Sequence, residues 1–118
     1  MTVTRVATRA AQVAAAQRRR GATVGVVGTV TSKAAALAAI GRALRFPDYY
    51  GQNLDGLEDC VRDLSWLPAG AIVLVWGGDG VLRRADPPSH ASILEILTDA
   101  AADSGAGERP LRLILTAP

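Results

Sequence analysis

The stretch AIVLVW, residues 71–76, contains no polar side chain. Successive side chains of a strand point to opposite faces, so an unbroken apolar run needs cover on both. A strand inside a parallel sheet with packed helices meets that condition. Two further segments read as strands: ATVGVVG at 22–28, β-branched and closed by glycine, and LRLILT at 111–116. Between them lie helical patterns. In KAAALAAIGRAL, Ala36, Leu37, Ile40, Ala43 and Leu44 share one face. Thr31 or Ser32 is placed to cap that helix, and Pro47 ends it by pushing its predecessor out of helical geometry. A last helix runs from Ser89 through HASILEILTDAAADSG, with Ile93, Leu94, Ile96, Leu97, Ala100 and Ala101 available to the core. Strands alternating with helices imply parallel pairing through crossover connections. The predicted fold is therefore α/β, a small three-stranded parallel sheet packed with helices. The segment GGDGVLRRADPP, 77–88, reads as an irregular connection punctuated by glycine and proline.

Residues 4–20, TRVATRAAQVAAAQRRR, are rich in alanine and arginine, both good helix formers. They read as an extra N-terminal helix stopped at Gly21, with Arg18, Arg19 and Arg20 where a helix dipole favours cations. The predicted organisation is an Arg/Ala-rich helical extension over 1–20 and one α/β domain over 21–118.

Charge is segregated along the chain. Residues 1–45 hold eight cations and no acid; residues 46–118 hold five arginines and all eleven acids. The formal net charge of +2 conceals this, and a pI near 9.2 points to nucleic acid only if the basic half is the working surface. Arg18–Arg20 lack interleaved aromatics, so no nucleic-acid partner is predicted. One cysteine excludes an internal disulfide and a cysteine-based zinc site, and suits a reducing, cytoplasmic compartment. No apolar run is long enough to span a bilayer and no secretory pattern is evident, so no membrane association is predicted.

The acids concentrate in FPDYYGQNLDGLEDCVRDLSW, 46–66, which holds Asp48, Asp55, Glu58, Asp59 and Asp63. Asn53 reads as the N-cap of a helix. From there Leu54, Leu57, Val61 and Leu64 share one side, with Cys60 as a small buried filler at its border. Asp55, Asp59 and Arg62 project from the other side, flanked by Glu58. The helix dipole accounts for Asp55, but not for Asp59 and Asp63. Like charges four residues apart cost roughly 0.2–0.5 kcal/mol per pair. Two such pairs, Asp55–Asp59 and Asp59–Asp63, leave two readings of this face open: a solvated helix surface, or a surface that meets something positive outside the chain.

The run FPDYYGQNLDGLEDC resembles the signature of the barstar family, intracellular inhibitors of secreted ribonucleases. The matching positions are Pro47, Asp48, Tyr49, Tyr50, Gly51, Asn53, Leu54, Asp55, Gly56, Leu57 and Asp59. The resemblance extends from about Ala22 to Thr116 and leaves residues 1–20 outside. It implies a non-enzymatic immunity-type protein that plugs a ribonuclease active site one to one and needs no cofactor. The partner-binding residues it implies are Tyr49, Gly51, Asn53, Asp55, Gly56 and Asp59, with Asp59 in place of the substrate phosphate. Asp99 stands where a late-helix acid is often Glu. Glu58, at a position often Trp, and Arg62, at a neutral contact position, depart from the pattern and imply a partner with a different rim. Tyr49 is predicted to be exposed and Tyr50 to pack inward.

Three alternatives stand beside this reading. The chain can be a barstar-like interaction module for a partner that is not a ribonuclease. It can also be an enzyme: Asp55, Asp59 and Asp63 facing Glu95, Asp99 and Asp103 are candidates for holding Mg²⁺. His90 is the only histidine and no nucleophile-elbow serine is present, so a catalytic triad is not predicted. Nucleic-acid binding through Arg18–Arg20 is the third, opposed by the acidic helix face.

Overall fold

The computed structural model describes residues 2–118. Its elements are β1 (Val3–Arg9), α1 (Ala10–Arg19), β2 (Thr23–Val27), α2 (Lys33–Ala43), α3 (Leu54–Asp63), β3 (Ile72–Gly77), α4 (Gly80–Ala85), α5 (Pro87–Asp103) and β4 (Leu111–Ala117). The strands form one sheet in the order β1-β4-β3-β2, and every adjacent pair is parallel. All six residues of β3 are buried, as an apolar run in a doubly covered strand requires. Ile72, Leu74 and Trp76 turn to the side packed by α2, α3 and α5; Val73 and Val75 turn to the side covered by α1. That alternation divides the core into a large cluster and a small one.

The sheet has four strands, not three. The fourth comes from the segment predicted to be wholly helical: residues 3–9 are extended and only Ala10–Arg19 are helix. Val3, Thr4, Val6 and Thr8 are β-branched, which favours a pleated surface over a helix. Val3, Thr4 and Arg5 pair with Leu113, Ile114 and Leu115 along the otherwise open edge of β4. The register then shifts, so that Arg9 faces Ala117. Helix α1 closes the small core with Ala10 and Ala14 and stops at Gly21, whose φ of 88° suits the left-handed region.

The connection after β3 also differs from expectation. It contains the short helix α4, and the Asp79 that precedes it is almost wholly buried, at 1% exposure. Asp79 accepts two hydrogen bonds from the Arg5 guanidinium, at 2.9 and 3.0 Å, and its Oδ2 lies 2.8 Å from His90 Nε2. Burial alone would raise its pKa. The hydrogen bonds from Arg5 and His90 outweigh burial and leave it below the usual value. The cluster ties β1 to the β3–α4 junction and to α5. Helix α5 begins at Pro87 rather than Ser89, because Asp86 is the cap: its carboxylate accepts from Ser89 N at 3.3 Å and Ser89 Oγ at 2.6 Å. Pro87 loses nothing in a first turn whose N–H groups have no helical partner.

Candidate functional site

Helix α3 is fixed at both ends and along one side. Asn53 caps it, accepting from Gly56 N at 2.7 Å, as predicted. Leu57, Cys60 and Val61 are buried beneath it. Complete burial of a side chain such as Leu57 stabilises by roughly 1.5–3 kcal/mol. Leu64 ends the helix in the left-handed conformation at φ 52°. The outer face carries Asp55, Glu58, Asp59, Arg62 and Asp63, all exposed. Gly56 is half-buried, and a methyl group there would sit 3.1 Å from Asn53 Oδ1 and 3.4 Å from the Tyr50 ring.

The loop before α3 is folded by its aromatics. Tyr50 turns inward, donates from its hydroxyl to Leu37 O at 2.9 Å, and meets Phe46 edge-on with ring centroids 4.8 Å apart. Its ring fills the space where a side chain on Gly41 of α2 would stand, since a Cβ there would fall 2.7 Å from Tyr50 Cε2. Trp66 continues the stack against Phe46 and donates from Nε1 to Leu44 O at 2.9 Å. Tyr49, by contrast, is 69% exposed. The two tyrosines thus divide as the sequence reading expected. Partial desolvation, with the charges of Asp63, Cys60 and Asp59 adding to it, raises the Tyr49 phenol pKa.

Burial pushes the Tyr50 phenol up to about 12 from an ordinary value of 10.0. A folded pKa above the unfolded one means that the folded chain holds its proton longer, so the stability this provides is present below pH 10 and lost as pH rises towards 12. Alkaline titration monitored by circular dichroism should show that loss. Tyr50→Phe should reduce the pH dependence, leaving the part due to Cys60 and Tyr49, while lowering stability at neutral pH by about 0.5–1.5 kcal/mol, the net worth of one hydrogen bond.

Glu58 and Arg62, the two departures from the expected pattern, are joined to each other and to α5. Arg62 Nη1 donates to Asp103 Oδ2 at 2.8 Å, and its Nε lies 3.6 Å from Glu58 Oε1. The hydrogen bond to Asp103 raises the Arg62 pKa, against slight desolvation, with Asp103, Glu58 and Asp99 adding charge attraction. Asp99 is exposed on α5 within reach of this field. Asp103, a candidate metal ligand by its sequence spacing, instead braces α3 to α5 through a contact spanning 41 residues. Gly51 and Asn53 are exposed at the entry to α3. Among the described residues, Asp55 and Asp59 take part in no ion pair or side-chain hydrogen bond. No group of three or more His, Cys, Asp or Glu side chains among the described residues is arranged to hold a metal ion.

Burial, and the charges of Asp59 and Asp63, raise the Cys60 pKa. The thiol is therefore a buried packing group rather than a nucleophile. No described helix is long and apolar enough to cross a membrane.

The chain is thus a parallel α/β scaffold that holds a carboxylate-faced helix beside an exposed tyrosine. The family described as Barstar (barnase inhibitor) matches residues 25–116, from β2 to β4. The chain belongs to the barstar family. Strand β1 and helix α1 lie outside the matched region. Among curated proteins, none matches the chain.

Proposed function

We propose that the protein inhibits a secreted or toxin-type ribonuclease by seating α3 and the preceding loop in its active site, one molecule to one. The observation that carries this reading is the pair Asp55 and Asp59, exposed on a helix fixed to the core and unpartnered within the described residues. A ribonuclease active site is built to hold a polyanion, and so concentrates positive charge. A carboxylate on a rigid helix presents comparable charge with no bond to cleave. Tyr49 adds apolar area with a polar tip and few rotatable bonds, a composition common at interface anchors. Gly51, Asn53 and Gly56 shape the approach. Glu58, Arg62 and Asp99 form the rim, where the braced arginine would select among partners. The description of the family as a barnase inhibitor supports the same reading.

The test is a stoichiometric titration of barnase and of a panel of other secreted ribonucleases. The expected result is linear loss of RNA cleavage by at least one enzyme, complete at one equivalent, with an association rate that falls as salt is added. Full activity of every enzyme at several equivalents, with no complex by size exclusion, would overturn the reading in favour of a partner of another kind.

A further inference from the structure

Beside the proposed binding surface lies a cavity of about 350 Å³ between the end of α2 and the loop. Phe46, Pro47 and Tyr50 line it, and Arg42 and Arg45 stand at its sides with Asp48 and Gln52. Both arginines are exposed, and among the described residues neither is in an ion pair. Asp48 leaves the cavity with an excess of one positive charge.

The backbone at Arg45 adds a second observation. Helix α2 ends in a Schellman motif: Phe46 N donates to Gly41 O at 2.8 Å and Arg45 N to Arg42 O at 3.3 Å. The residue between, Arg45, has φ 55°. Glycine is the usual occupant of this position, because a Cβ is disfavoured in the left-handed region. The helix dipole favours a cation near the last turn, which accounts for Arg42. For Arg45 that gain is opposed by the left-handed backbone, so the folded chain alone gives little reason to prefer arginine to glycine.

We infer that Arg42 and Arg45 form a receptor for a carboxylate side chain, Asp or Glu, presented by the protein partner of the α3 surface. The inference rests on the proposed function for the identity of that partner. Two guanidiniums match a carboxylate with planar donor pairs, and the aromatic and proline walls accommodate the methylene that carries it. A phosphate chain is the poorer occupant. Asp48 borders the cavity and the acids of α3 lie beyond the loop, so a polyanion entering here would be repelled, whereas one carboxylate borne by an otherwise basic protein surface would not. The partner would thus carry an acidic residue at the edge of its basic cleft.

Titration of the full chain with N-acetylglutamate, followed by NMR at the arginine Nε–H groups and the Phe46 amide, should give saturable shifts at Arg42, Arg45 and Phe46. The shifts should vanish in Arg45→Gly. The same substitution should raise the thermal midpoint by roughly 2–5 °C, since it relieves the left-handed backbone. It should weaken binding to the inhibited ribonuclease about tenfold. No saturable shift, or tighter binding of inorganic phosphate than of N-acetylglutamate, would overturn the assignment. Unchanged affinity for the ribonuclease in Arg45→Gly would remove the partner from the cavity. Failure of the ribonuclease reading itself would appear separately, as absence of inhibition by the unaltered chain while the NMR shifts persist.

Discussion

Asp59→Ala should weaken the complex with an inhibited ribonuclease by about 2–5 kcal/mol, roughly 30- to 5,000-fold, mostly through faster dissociation. Asp59 projects from the second turn of α3, its helix held down by the buried Leu57 and Val61, and it has no partner among the described residues. Its attraction is therefore available to an incoming cation without first breaking an internal pair. In a complex it would leave water together with the partner's cations. Truncating it would leave those cations buried and unpaired, and most of the loss comes from there. That range draws on the barnase–barstar pair, whose inhibitor belongs to this family, and is carried over from it. Glu95→Ala makes the same change in net charge on α5 at another exposed position, and should alter mainly the association rate. Dissociation constants for both variants at several salt concentrations separate the two effects. Equal affinity of Asp59→Ala and the unaltered protein would dismiss Asp59 as the phosphate mimic, even if inhibition itself were real.

The second large effect concerns β1. Arg5→Ala should destabilise the protein by about 2–3 kcal/mol, less than the 3–5 typical of breaking a fully buried pair, because the Arg5 side chain is 54% exposed. Asp79, at 1%, is the buried member and would keep only His90. The Asp79 pKa is lowered in the folded state. The stability it contributes is therefore present above its unfolded value of 3.8 and lost as pH falls below it. Urea titrations at neutral and acidic pH measure both. The difference between Arg5→Ala and the unaltered protein should narrow in acid as Asp79 is protonated. An unchanged midpoint in Arg5→Ala would mean that Arg5 does not fasten β1 to the fold.

The sequence by itself determined whatever depends on neighbours in the chain. The unbroken run at 71–76 required two-sided cover. The three, four and three spacing of Leu54, Leu57, Val61 and Leu64 told the inner side of α3 from its acidic outer side. Asn53 marked the start of that helix, whereas the helix before it ends at Ala43, through the left-handed Arg45, short of the limit that Pro47 set. These signals are local because side-chain periodicity and capping act within a few residues. Tertiary structure alone decided the rest. VTRVATR lies in a segment whose composition favours a helix, and became a strand where its β-branched residues met the open edge of β4. Arg5 and Asp79 are 74 residues apart, and Arg62 and Asp103 are 41 apart. Pairs at such distances depend on which elements the sheet order brings side by side, and no spacing along the chain records that. The acidic face was legible because it belongs to one helix. The brace on Arg62 and the clamp on β1 were not, because each joins elements that only the folded sheet makes neighbours.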